Sequence, residues 1–371
     1  MSDEQRLLDR FVRLCEIPSP TGSERAVADA VAGELREIGV DVTEDGAAEE
    51  ARAGSGNLIA RVPGRRDGWV MLGAHLDTVP GDGEIEVVLE EGVYRSRGET
   101  ILGADNKAAV TVLVELAARH AQDRPPVGLE LVFTVAEEDG LRGAKALDLG
   151  SLRSSYGFVV DHASPIGEVA VAAPTYQRLA AEFVGREAHA GIRPEDGRNA
   201  IAAAAAAVAE MKLGRLDAET TANVGVIEGG TATNVVPGRC RIEAEARSID
   251  GPRGGETIGA MVDACTWAAG ERHCDLDVEV TEIFRSYRMR PNSTAVAVAK
   301  EALASCGHEP SEITTGGGSD ANAFRAAGFE AILLANGTEA NHTPEERVAA
   351  RRIVEMLDVS EAILAKAAER C

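Results

Sequence analysis

The sequence predicts an α/β fold: a mostly parallel sheet with helices on both faces, interrupted by an inserted ferredoxin-like α+β domain. Three observations predict it. Short apolar runs bounded by turn residues alternate with helix-period segments, as strand–helix–strand units require. Near Ala173–Pro174 the order changes to β-α-β-β-α-β. Helix, strand and helix then resume over the remaining chain.

Each element has its own signal. In residues 3–15, Leu7, Leu8, Phe11, Val12 and Cys15 recur at helical spacing. Residues 23–38 repeat the pattern, with Thr21 or Ser23 as the expected N-cap. The runs NLIARV, WVMLGAHL, LELVFTV and YGFVVDH read as buried strands. Residues 105–118, between two of them, are a strong helix former. In the insert, strands are expected at 177–184, 222–226, 239–248 and 275–280, with helices at 199–212 and 256–269. Beyond it, a helix at 293–304, a strand at 331–335 and a helix at 344–368 complete the pattern. The expected domains are 1–173 and 285–371, together forming one catalytic domain, and the insert at 174–284.

The chain has 371 residues, 44% apolar and 27% charged, enough to bury two cores. This excludes a disordered chain and a disulfide-stapled miniprotein. The formal charge of −23 argues against nucleic acid or an anionic membrane as partner. Cys15, Cys240, Cys265, Cys274, Cys306 and Cys371 are scattered without a C-x-x-C pair. That spacing speaks against a zinc ribbon and for a reducing compartment. The first residues are charged throughout and no uncharged apolar run approaches a membrane span, so a cytoplasmic protein is expected.

Acidic and histidine side chains gather at the C-terminal ends of the expected parallel strands, the edge where open α/β sheets place ligands. His75-Leu76-Asp77 closes one strand. Alternate residues share a face, so Asp77 can reach toward the His75 ring, as carboxylates do behind metal-ligating histidines. A hydrogen-bonded core histidine fits the same spacing. Asp105 stands before a helix and reads equally well as an N-cap. Glu137, Glu138 and Asp139 follow a buried strand and repel one another unless cations or protons intervene. An exposed acidic turn is the plain alternative. Asp161 and His342 also stand at strand ends. Together His75, Asp105, Glu138, Asp161 and His342 form a sulfur-free donor set suited to two divalent ions with one bridging carboxylate. Glu137 is then a spare carboxylate suited to act as a general base.

GAHLDTVPGDG, GADNKAAV, AEEDGLRGAKAL, VVDHASPIGEV and NGTEANHTPEERV resemble, in order, the five site motifs of the M20 metallopeptidases. PTYQRLAAEF and GGGSDANAF look closest to the peptidase T-like branch. The resemblance covers almost the whole chain. It implies that His75 and Asp161 hold one metal, Glu138 and His342 the other, and that Asp105 bridges. It implies that Asp77 orients His75 and that Glu137 carries a proton from water to the leaving nitrogen. Two zinc ions are the implied cofactors, with cobalt or manganese as alternatives.

The insert resembles the family's dimerisation domain. In relatives a histidine matching His189 reaches the partner's active site and helps hold the oxyanion. Asn234 and Arg247 match substrate-binding positions. The glycines around Gly317 let backbone N–H groups approach a substrate carboxylate. Outside that context His189 reads as a locally bonded strand-end histidine and Arg247 as a surface ion-pair residue. The implied function is hydrolysis of an amide bond in short peptides by a homodimer, as a tripeptide aminopeptidase. An N-acyl amino acid deacylase or desuccinylase of the same family is the alternative.

Overall fold

The computed structural model describes residues 3–370; Cys371 lies outside them. The chain divides into two compact units. The first is built from the segment up to Val171, from Met289–Thr314 and from Ser319 onward. The second comprises Ala172–Arg288 and the short segment Thr315–Gly318.

Four parallel strands form the centre of the first unit, in the spatial order Gly128–Thr134, Trp69–His75, Tyr156–His162, Glu330–Ala335. All seven residues of Gly128–Thr134 are buried, which explains a continuous apolar run in place of alternation. The flanks are antiparallel: Leu58–Val62 beside Gly128–Thr134, with Asp41–Glu44 outside it, and Glu168–Ala173 beside Glu330–Ala335. An apolar run carries no sign of its direction, so the sequence could not separate centre from flank.

Helix Ala104–His120 packs on Trp69–His75, and helices Asp3–Cys15 and Ala350–Ala368 pack on that helix in turn. Thirteen of its 17 residues are buried, which its near-continuous apolar sequence allows. Phe133, Phe158, Leu72 and Phe11 are fully buried in this unit. Burying each such side chain contributes about 1.5–3 kcal/mol.

Two local expectations are corrected. The N-cap of helix Arg25–Glu37 is Glu24, without a side-chain cap bond. Thr21, one of the expected caps, instead donates to Asp77 Oδ2 at 2.8 Å. The last helix begins at Ala350, not at 344. Arg347–Ala349 is a strand paired with Val93–Arg95, inside a small sheet with Val87–Glu90 and Thr338–Glu339. Tertiary pairing overrides the helical pattern there.

The second unit is an antiparallel sheet in the order Gly214–Arg215, Thr220–Gly229, Arg239–Ser248, Thr175–Val184, Asp275–Phe284. Helices Ala200–Glu210 and Gly251–Glu271 cover one face. Asn199 and Asp250 cap them by accepting from Ala202 N and Arg253 N. Its separate core includes Leu179, Phe183, Ile242 and seven helical alanines. Cys15, Cys240, Cys265, Cys274 and Cys306 are free thiols. Among the described residues no helix is long and apolar enough to cross a membrane.

Candidate active site

The parallel strands of the first unit end together, and their C-terminal ends carry the chemistry. His75 is the last residue of its strand and Asp161 the penultimate residue of the next. Glu137 and Glu138 follow Gly128–Thr134 through Ala136, whose φ of 50° turns the chain sharply. His342 follows Glu330–Ala335 and itself sits at φ 65°. Asp105 lies in the first turn of Ala104–His120, where its φ/ψ of −84°/103° depart from the helix. Gly103 takes the N-cap position, so Asp105 is not the cap its sequence position suggested.

Asp105 is the centre of the cluster. Its Oδ1 lies 3.3 Å from His75 Nε2, and its Oδ2 lies 3.2 Å from His342 Nε2. Asp161 Oδ1 stands 3.2 Å from His75 Nε2, and Glu138 Oε1 stands 2.9 Å from His342 Nε2. Ligand-capable atoms of His75, Asp105 and Glu138 lie within 4.8 Å of one another, as do those of His75, Glu137 and Asp161. The His75 side chain is 1% exposed and that of His342 49%, so one end of the cluster is deep and the other open.

The cluster's donor chemistry suits cations. His75 Nδ1 faces the Asp77 carbonyl oxygen at 2.9 Å, which fixes the proton there in the neutral ring. Nε2 then presents a lone pair toward two carboxylate oxygens, acceptor against acceptor. Glu138 Oε1 is buried and faces His342 Nε2 at 2.9 Å. Such an arrangement is relieved only by positive charge.

Without a cation, protons take that place. Burial opposes charge on His75, yet Asp161, Asp105 and Asp77 outweigh it and raise the ring well above its usual range. Hydrogen bonds to Asp105 and Glu138 push His342 up to about 10. Burial favours a neutral Asp105, but His342 and His75 hold its carboxyl well below the ordinary value. Burial raises Asp161 to about 8, and burial together with Asp161 raises Glu137 well above the carboxylate range.

Asp77 does more than face His75. Its Oδ1 is 3.5 Å from His75 Nδ1 and accepts the Glu137 N–H at 3.0 Å. Its Oδ2 accepts the Glu138 N–H at 3.2 Å and the Thr21 hydroxyl. The carboxylate therefore grips the backbone of the two glutamates, and the histidine is oriented mainly by the Asp77 carbonyl.

Sequence reasoning missed three participants. Asn341 Nδ2 donates to Asp105 Oδ2 at 2.8 Å. Asp320 is 2% exposed and accepts from the Thr134 hydroxyl; burial raises it to about 6. Glu346 accepts from the backbone beside Asp105. Adjacency to His342 was the only signal for Asn341 and Glu346. Lys107 is fully buried and donates to the Ile17 carbonyl, and burial lowers it to about 8.

The other expected residues lie in the second unit. His189 pairs with Val235 in a two-stranded ribbon, and Ala190 N donates to Asn234 O at 2.9 Å, so His189 and Asn234 are neighbours. Both are exposed. His189 Nδ1 accepts from Gly191 N at 3.2 Å, which leaves Nε2 as the N–H donor of the neutral ring. Arg247 is paired twice with Glu245, at 3.0 and 3.1 Å, and its guanidinium lies 4.4 Å from the Tyr176 ring centroid. It also donates to Gly316 O at 3.3 Å. The Gly317 N–H is not free: it donates to Thr315 Oγ1 at 3.1 Å.

Residues 71–369 match peptidase family M20/M25/M40. The protein YqjE of Bacillus subtilis is 38% identical over 373 residues, covering 100% of both chains. The structure of aminopeptidase PepT from Bacillus cereus is similar at TM-score 0.87 and 36% identity, covering 98% of each chain. A tripeptidase structure from Staphylococcus aureus is similar at TM-score 0.92 and 33% identity, covering 99% of each. The chain belongs to the M20 peptidase family, as its five motifs predict, and is an enzyme of that family.

Proposed function

We propose that the chain is a two-cation peptidase that removes the N-terminal residue from short peptides, tripeptides foremost. The observation that carries this reading is the placing of Asp105. Each of its oxygens faces a histidine Nε2, and each histidine has a further carboxylate beside it. His75, Asp161 and Asp105 would hold one ion; Glu138, His342 and Asp105 the other. Zinc suits this set, as do cobalt and manganese. Bound there, such ions polarise the scissile carbonyl and make water a ready nucleophile at neutral pH.

The chain's own groups do the rest. The Glu137 carboxylate takes a proton from the attacking water and delivers it to the amide nitrogen as the C–N bond breaks. Asp77 keeps that base in place through the Glu137 and Glu138 amides. His189 offers its Nε2–H to the oxyanion of a second copy's site, which makes the enzyme a homodimer. Asn234, Arg247 and the Gly317 backbone meet the substrate carboxylate. Arg247 is preset for that by Glu245 and Tyr176, whereas the Gly317 N–H must first leave Thr315 Oγ1. Full-length likeness to proteins described as an aminopeptidase and a tripeptidase favours peptides over N-acyl amino acids. The scattered cysteines without a C-x-x-C pair agree with a cytoplasmic enzyme.

One preparation tests the reading. Protein stripped with a chelator is assayed after zinc, cobalt or manganese is restored, against tripeptides, N-blocked tripeptides and N-acyl amino acids. Free-amine tripeptides are expected to be cleaved only with metal. A thousandfold preference for the acyl substrates would replace this reading with the deacylase one. Glu137→Gln is expected to keep both ions and lose roughly 10²–10⁴ in kcat; full activity in that variant would remove Glu137 as the base.

A further inference from the structure

Glu346 is a buried carboxylate, 2% exposed, that lies outside the donor cluster. Its Oε2 accepts from Leu102 N and Gly103 N, both at 2.8 Å, and its Oε1 accepts from Asp105 N at 2.9 Å. Helix Ala104–His120 starts without a side-chain cap of its own, and its opening amides would otherwise be left without acceptors inside the protein. Glu346 supplies the acceptors from 241 residues away along the chain.

The same short segment also reaches Asp105 from the other side. Asn341 Nδ2 and His342 Nε2 approach Asp105 Oδ2 at 2.8 and 3.2 Å. Glu346 N donates to Thr343 O at 3.1 Å, closing residues 343–346 into a turn that aims the carboxylate back at the helix start. Residues 341–346 thus hold Asp105 by side chain and by backbone at once.

We propose that Glu346 is the positioning residue for the bridging carboxylate: it locks the Asp105 loop to the His342 loop so that both Asp105 oxygens face their histidines together. The inference rests on the two-cation reading above. Without Glu346 the amides of Leu102, Gly103 and Asp105 lose their acceptor. The loop then no longer fixes Asp105 midway between the histidines, and the two metal positions uncouple.

The test uses manganese as the probe, because two Mn²⁺ ions sharing a carboxylate give an exchange-coupled paramagnetic resonance spectrum that isolated ions lack. Wild type, Glu346→Gln and Glu346→Ala are titrated with Mn²⁺, with Glu130→Gln as control. Glu130 is also a fully buried carboxylate bonded to backbone amides, those of Arg153 and Ser154, and touches neither loop. Wild type and Glu130→Gln are expected to bind two ions with a coupled spectrum. In the Glu346 variants the coupling is lost and affinity for the second ion falls roughly 10–100-fold. Glu346 variants that bind two coupled ions like wild type overturn the proposal. A wild type that binds fewer than two ions sinks the two-cation reading instead.

Amide hydrogen exchange in the metal-free wild type needs no substitution, so it decides the matter even where a variant does not fold. Leu102, Gly103 and Asp105 are expected to be protected, and rapid exchange at all three overturns the clamp.

Discussion

His75 and His120 use their rings alike and serve different ends. Each turns Nδ1 toward a backbone carbonyl, Asp77 or Asp123, and Nε2 toward carboxylate. His75 faces several carboxylates in a buried cluster, whereas His120 faces Glu361 alone, at 2.8 Å, and clasps the end of Ala104–His120 to Ala350–Ala368. Burial opposes charge on His120, but Glu361 outweighs it and raises the ring above its usual value. The folded form therefore holds the proton more tightly than the unfolded chain. The stabilisation is whole below about pH 6.5 and is lost as pH rises through the folded value. Relative to His120→Gln, the wild type is expected to gain most in denaturant midpoint near pH 5.5 and least near pH 8.5; a gap independent of pH would exclude this linkage. That His75, Asp105, Glu138, Asp161 and His342 gather was legible because strand ends and motif order mark them. Glu346 and Thr21 were not, because their partners are backbone amides or a carboxylate far along the chain.

Elements were legible where one local period governs them and blurred where a neighbour decides. The strand Arg239–Ser248 alternates buried and partly exposed residues and was readable to its ends. Residues 344–349 carry a helical pattern, yet 344–346 turn and Arg347–Ala349 pair as a strand, because Val93–Arg95 offers an open edge. Gly318 illustrates a packing constraint that no periodicity encodes. A Cβ there would lie 2.1 Å from the Phe284 ring. Phe284 packs edge-on against Tyr176 at 5.5 Å, and Tyr176 carries the Arg247 guanidinium. Gly318→Ala therefore pushes a stack that ends on a proposed substrate-binding residue. The substitution is expected to destabilise by about 1–3 kcal/mol in chemical unfolding and to raise KM. Metal content should be unchanged, since the donor cluster belongs to the other unit. A stable variant with wild-type KM would show that the loop yields without disturbing Arg247.

At the scale of the whole molecule, a chain of charge −23 has little reason to self-associate through its general surface. The second unit nevertheless keeps an open edge. Strand Thr220–Gly229 pairs along its length with Arg239–Ser248, while on its other side only Thr221 and Ala222 are paired among the described residues. Val226 and Ile227 on that strand are 44% and 53% exposed. Open apolar edges of this kind are usually covered, and in the proposed homodimer a second copy would cover this one. The dimer reading makes His189 act in trans, and that has a distinctive consequence. His189→Ala and Glu137→Gln are each expected to be nearly inactive as homodimers. In a heterodimer isolated through two affinity tags, one site joins an intact Glu137 to the partner's intact His189, and the other site lacks both. Activity is therefore expected to return to about half that of wild type per dimer, with one site in two competent. Activity no greater than that of the two parents would show that His189 serves its own subunit or none.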